Sequence, residues 1–116
     1  MANFKELLVW QKSINFVTEI YELTNGFPKS EMYGLTSQIR RASISIPSNI
    51  AEGNSRRSVA DYLQFLKISR GSSAEVETQL IIAQNLKFLN EEHYLKLNQD
   101  IIEISKMLNG LINSLK

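Results

Sequence analysis

The chain has no cysteine in 116 residues, which removes disulfide cross-links, thiolate metal sites and thiol nucleophiles, and points to a reducing, cytoplasmic compartment. Proline occurs twice and glycine five times, so there are few places at which a long helix could be broken. His93 is the single histidine, and position 90, three residues before it, is Asn and not Glu. A di-metal carboxylate centre, which needs a Glu-x-x-His pair on each of two helices, is therefore excluded. Glu75 and Glu77 are two residues apart on a helix and point in different directions, which makes them a poor acid–base pair. No glycine-rich phosphate loop and no serine with a plausible base is present. No apolar run approaches the roughly 18 residues of a membrane helix, and the N-terminus lacks a basic segment followed by an apolar one. The expectation is a soluble, non-enzymatic chain with no cofactor, metal or membrane partner.

What is present is helical period. From Leu7 to Asn25 the positions Leu7, Trp10, Ile14, Val17, Tyr21 and Thr24 alternate steps of three and four, the spacing of one helix face. Gly26 and Pro28 mark its end, and Ser30 is placed to cap a second helix running from about Glu31 to Glu52, with Leu35, Ile39, Ala42 and Ile46 on one face. Pro47 removes an N–H and crowds the carbonyl four residues earlier, so a kink is expected there. Gly53 should stop this helix. Ser58-Val59-Ala60-Asp61 is a capping box with Asp for Glu, starting a third helix that extends to about Phe88. Asn90 caps a fourth, in which Tyr94, Leu97, Ile101, Ile104, Leu108, Leu111 and Leu115 keep a strict three–four alternation. Short connections between long helices force neighbours to run antiparallel. The fold class is thus all-α: one domain over residues 1–116, an antiparallel up-and-down four-helix bundle with its second helix kinked at Pro47.

Helices one to three carry more apolar surface than one seam consumes. Beside the main stripe of the third helix, which includes Val59, Tyr62, Leu66 and Val76, lie Phe65, Ile68, Ser72, Ile82 and Leu86. Helix one adds Val9, Phe16 and Ile20, and helix two adds Ile44 and Ala51. Wide stripes often face only the interior of their own bundle. The sharper reading is a subunit contact made by Phe65, Ile68, Ser72, Ile82, Phe16 and Ile44, since a small monomer rarely leaves a large apolar patch in water. Gly71, in the middle of helix three, suggests close approach of another helix, within or between subunits.

The net charge of +1 conceals an uneven distribution. Residues 29–70 hold seven basic side chains against three acidic ones, and all five arginines lie there. Arg40, Arg41, Arg56, Arg57, Lys67 and Arg70 form a candidate nucleic-acid-binding set, because guanidinium groups suit phosphate. The competing reading pairs them with Glu52, Asp61, Glu75 or Glu77.

The stretch from Tyr33 to Gly53, followed by Arg56-Arg57-Ser58, with Leu8-Val9-Trp10-Gln11-Lys12 ahead and Phe65-Leu66-Lys67-Ile68-Ser69-Arg70-Gly71-Ser72 after, resembles the four-helix bundle proteins encoded by intervening sequences in bacterial 23S rRNA genes. The resemblance spans nearly the whole chain, is strongest over residues 33–83 and is weakest in helix four. It implies a bacterial homopentamer of mostly unestablished role. Related accessory proteins of diversity-generating retroelements are pentameric and bind nucleic acid and a reverse transcriptase. They are highly basic, whereas this chain has a pI near 8.0. Two functions are therefore expected to compete: an assembly that binds RNA or DNA weakly, and a scaffold that docks a protein such as a reverse transcriptase without touching nucleic acid.

Overall fold

Short polar signals start the last three helices. In the computed structural model, which describes residues 3–116, the helices are α1 (Leu8–Thr24), α2 (Leu35–Asn54), α3 (Val59–Asn85) and α4 (Glu91–Leu115). Ser58 accepts from the Asp61 N–H at 3.1 Å, and Asn90 accepts from the His93 N–H at 2.7 Å, so both expected N-caps are made. α3 closes where Lys87 takes a left-handed backbone, φ 65°, and the Phe88 N–H reaches the Ala83 carbonyl at 2.9 Å.

The start of α2 differs from expectation. Lys29–Glu31 form a separate 3-10 turn, and the Glu31 carboxylate, not Ser30, accepts from the Leu35 N–H at 3.1 Å. Gly34 makes room for this, since a Cβ there would lie 2.9 Å from Glu31 Oε1. Gly53 does not stop the helix. It is buried one residue before the end of α2, where a Cβ would lie 2.8 Å from Phe65 Cβ and 3.0 Å from Tyr62 Cδ1. Its role is close helix approach. α2 continues through Pro47, and Asn49 Nδ2 donates to the Ser45 carbonyl at 2.8 Å.

Each helix packs on its neighbours in sequence and α4 returns to α1, while among the described residues the backbones of the diagonal pairs α1/α3 and α2/α4 stay farther apart. This is the arrangement of an up-and-down bundle. It measures 43 × 24 × 20 Å. The α2–α3 seam is the closest and α1–α4 the loosest. Small hydroxyl residues bring α2 and α3 together: Ser43, Ser69, Ser72 and Ser73 are buried, and Ser69 donates across the seam to the Ile46 carbonyl at 2.9 Å.

The inward face of α1 is rotated by about 100° from the one expected. Val9, Ser13, Phe16, Ile20 and Thr24 are buried, whereas Ile14 and Tyr21, on the expected main stripe, are exposed. Ser13 and Thr24 lie in the core because their hydroxyls donate back to the Trp10 and Ile20 carbonyls at 2.8 and 2.7 Å. In α4, Leu97, Ile101, Ile104 and Leu108 are buried as their period requires, and Ile112 replaces Leu111 at the last turn. Gly71 is exposed with nothing within 4 Å of a Cβ, so no helix of the same chain approaches it. Among the described residues, no helix is long and apolar enough to cross a membrane.

Candidate interaction surfaces

The cations expected to form one cluster are dispersed and partly committed. Arg40 and Arg41 precede Arg56 and Arg57 by 16 positions, which at 1.5 Å rise per residue separates them by roughly 20 Å along the bundle. Arg40 staples the end of α1. Its Nε donates to Thr24 Oγ1 at 2.8 Å, its Nη2 donates to Asn25 Oδ1 at 3.1 Å and to the Tyr21 carbonyl at 3.3 Å, and its guanidinium lies 4.5 Å from the centre of the Tyr21 ring. One side chain thus satisfies groups at a helix C-terminus that has no basic residue of its own in the last turn.

Arg56 pairs with Glu52 at 3.0 Å and lies over Phe65 at 4.9 Å. Arg70 turns toward α4 and donates to Asn109 Oδ1 at 3.0 Å. Arg41, Arg57 and Lys67 are exposed, and among the described residues none of them makes a salt bridge or a side-chain hydrogen bond. Of the expected acidic partners, Glu52 alone is used among the described residues; Asp61, Glu75 and Glu77 form no ion pair with any of them. The larger ionic network joins α1 to α4: Lys96 bridges Glu19 at 2.9 Å and Asp100 at 2.8 Å, and Lys12 lies 3.6 Å from Asp100 and Glu103. Hydrogen bonds that the Lys96 ammonium donates to Asp100 and then Glu19 hold it above its ordinary pKa.

The residues expected at a subunit contact divide in two. Phe16 and Ser72 are corrected: Phe16 is buried in the chain's own core, and Ser72 is buried between α2 and α3 at the edge of their cleft, donating to Ser45 Oγ at 2.8 Å. Phe65 is half-buried beneath Arg56. Ile44, Ile68 and Ile82 are exposed, as is Leu86. Ile44 contributes to an open groove between α1 and α2 whose other walls are Trp10, Ile14, Val17, Pro47 and Ala51, with almost no polar surface. Phe4 closes one end, its ring 5.4 Å from that of Trp10 in an edge-on contact. On α3, Ile68 and Ile82 are each seven residues from Glu75 and lie on one line along the helix, beside the α2–α3 cleft.

The model of the 23S rRNA-intervening sequence proteins matches residues 5–110, nearly the whole chain. The chain belongs to this family. A crystal structure of a protein of unknown function from Bacteroides thetaiotaomicron, assigned to the S23 ribosomal protein family, is similar to it at 29% identity, covering 91% of this chain and 96% of that one with a TM-score of 0.85. No curated protein matches.

In this member of the 23S rRNA-intervening sequence family, the stretch that carries the resemblance is α2 with its two approaches. Sequence reasoning missed two features there. The groove beside Pro47 was hidden because Trp10, Ile14 and Val17 were assigned to the core. The polar cleft lined by Arg41, Glu75 and Gln79 is not legible in the sequence because Arg41 reads as part of the arginine set and Glu75 as a solvated carboxylate, and only the packing of α2 on α3 sets them face to face.

Proposed function

We propose that this protein is a non-enzymatic assembly module that associates with further copies of itself through apolar flanks. The observation that carries this reading is the groove of Trp10, Ile14, Val17, Ile44, Pro47 and Ala51, an apolar surface that the single chain leaves uncovered. A second uncovered strip, Ile68, Ile82 and Leu86, lies on a different helix. Two unlike patches favour a head-to-tail contact, which closes into a ring when the rotation permits. Five subunits is the number that the family resemblance suggests. Exposed surfaces of such a ring would dock a protein partner, a reverse transcriptase being the kind suggested by the retroelement accessory proteins. Light scattering coupled to size exclusion tests the assembly: a multiple of 13.3 kDa is expected, shifting toward one chain in Ile44→Glu or Ile68→Glu. A single-chain mass for the wild type refutes it.

A second reading, weak binding of RNA or DNA, is favoured by Arg41, Arg57 and Lys67, which are exposed and without a protein partner among the described residues. A ring would multiply each weak contact by its copy number. Fluorescence anisotropy with single- and double-stranded oligonucleotides should show affinity falling with salt by a slope of about 0.7 to 0.9 per phosphate neutralised. Arg57→Ala/Lys67→Ala should reduce that slope, whereas Arg40→Ala should not, because Arg40 is engaged with α1. Equal binding and slope in wild type and the double variant removes the nucleic-acid reading and leaves the scaffold.

A further inference from the structure

The α2–α3 seam is the closest in the bundle, yet its outer edge opens into a polar cleft lined by Gln38, Arg41, Ser45, Ser72, Glu75 and Gln79. Three features distinguish it from an ordinary solvated furrow. Gln79 is more than nine-tenths buried, and its Oε1 has no donor among the described residues. Leaving a buried acceptor unpaired is unfavourable, so a native structure that retains one calls for an explanation. Ser45 and Ser72 share a single hydrogen bond at 2.8 Å, and Asn49 donates to Ser45 Oγ at 2.8 Å. Two hydroxyls that share one bond leave one proton of the pair free to donate.

The third feature is charge. Arg41 and Glu75 line the same cleft from opposite helices, both exposed, and no ion pair within 4.0 Å joins them or ties either to another residue described. Of the other charged groups on the two helices, Arg40 is directed to α1, Glu52 to Arg56 and Arg70 to Asn109, while Asp61, Lys67 and Glu77 have no ion pair among the described residues and do not line the cleft. The rim therefore presents one positive and one negative group over a floor of hydroxyl and carboxamide. An anion alone would meet the Glu75 carboxylate, and a cation alone would meet the Arg41 guanidinium. A molecule bearing both charges satisfies both walls, and the polar floor favours a short hydrogen-bonding body over an apolar tail.

We infer that the α2–α3 cleft is a binding site for a small zwitterion of the amino-acid class, its carboxylate on Arg41, its ammonium on Glu75 and its polar body on Gln79 and the Ser45–Ser72 pair. The walls all come from one chain, so the site is complete in a single copy; because Glu75 lies between Ile68 and Ile82, a copy seated on that strip would compete with the ligand, and the titration is made on Ile68→Glu beside the wild type. The cleft is open and the ligand small, which places the dissociation constant on the order of 1 mM.

The test is an amide NMR titration of the full chain with L-alanine and L-serine, beside N-acetyl-L-alanine, which lacks the ammonium, L-alaninamide, which lacks the carboxylate, and glycerol, which lacks both charges. The expected result is saturable shifts in the segments 38–45 and 72–79, with both amino acids binding more tightly than either singly charged analogue. Arg41→Gln should weaken L-alanine by about tenfold or more while tightening L-alaninamide, which no longer meets the guanidinium, and Glu75→Gln should weaken L-alanine likewise while tightening N-acetyl-L-alanine. Both positions are exposed, so the spectra away from the cleft report whether the variants keep their fold. Absence of saturable shifts at tens of millimolar, equal shifts with glycerol, or variants that bind L-alanine as the wild type does would each overturn the assignment.

Discussion

Replacing Gly53 and Gly71 with alanine should move stability in opposite directions, although both glycines lie inside helices. In an open helical position, Gly→Ala stabilises by about 0.5 to 1 kcal/mol, because glycine loses more conformational freedom on folding. Gly71 is such a position: it is exposed, and nothing lies within 4 Å of an added Cβ. Gly110 is another and serves as a control. At Gly53 the added methyl would sit 2.8 Å from Phe65 Cβ and 3.0 Å from Tyr62 Cδ1. Phe65 Cβ is attached directly to the backbone, so no rotamer change removes the contact. Relief requires α2 and α3 to separate, at a seam whose serine contact spans only 2.9 Å. Overpacking of this kind costs about 1 to 3 kcal/mol, which exceeds the helical gain and leaves a net destabilisation of about 1 to 2 kcal/mol. For a chain of this size that lowers the melting temperature by about 4 to 8 °C. Thermal unfolding followed by circular dichroism measures all three variants. A Gly53→Ala protein as stable as the Gly71→Ala protein would refute the argument that glycine at 53 sets the helix separation.

Arg40→Leu should destabilise the bundle by about 1 to 2 kcal/mol, read as a lower urea midpoint at unchanged slope, since it strips three hydrogen bonds from the end of α1. Arg41→Leu, at an exposed position without a protein partner, should shift the midpoint by less than about 0.5 kcal/mol. Pro47→Ala should fold and restore an N–H to α2, but should assemble poorly if the bend expected at Pro47 shapes the apolar groove. An unchanged mass by light scattering, with unchanged helix geometry in a crystal structure of the variant, would show that proline is only tolerated there.

The sequence by itself determined the number of helices, their order and most of their ends. These depend on interactions that close within a turn or two: Ser58 with Asp61, Asn90 with His93, and the three–four alternation of Leu97, Ile101, Ile104 and Leu108 along α4. Short connections then left antiparallel neighbours as the arrangement open to four such helices. Tertiary structure decided which face of α1 points inward. Two stripes about 100° apart compete there, and counting apolar residues favours the wrong one, because Ser13 becomes compatible with the core once its hydroxyl bonds back to the preceding turn. It decided likewise that Gly53 meets Phe65 and Tyr62 and does not end a helix, and that Phe16 and Ser72 are interior. The arginines show the limit most clearly. Arg40 and Arg41 are adjacent and chemically identical, yet one is spent on the end of α1 while the other faces an open cleft opposite Glu75. A 100° step around the helix separates those roles, and only the position of the neighbouring helices gives the step its meaning.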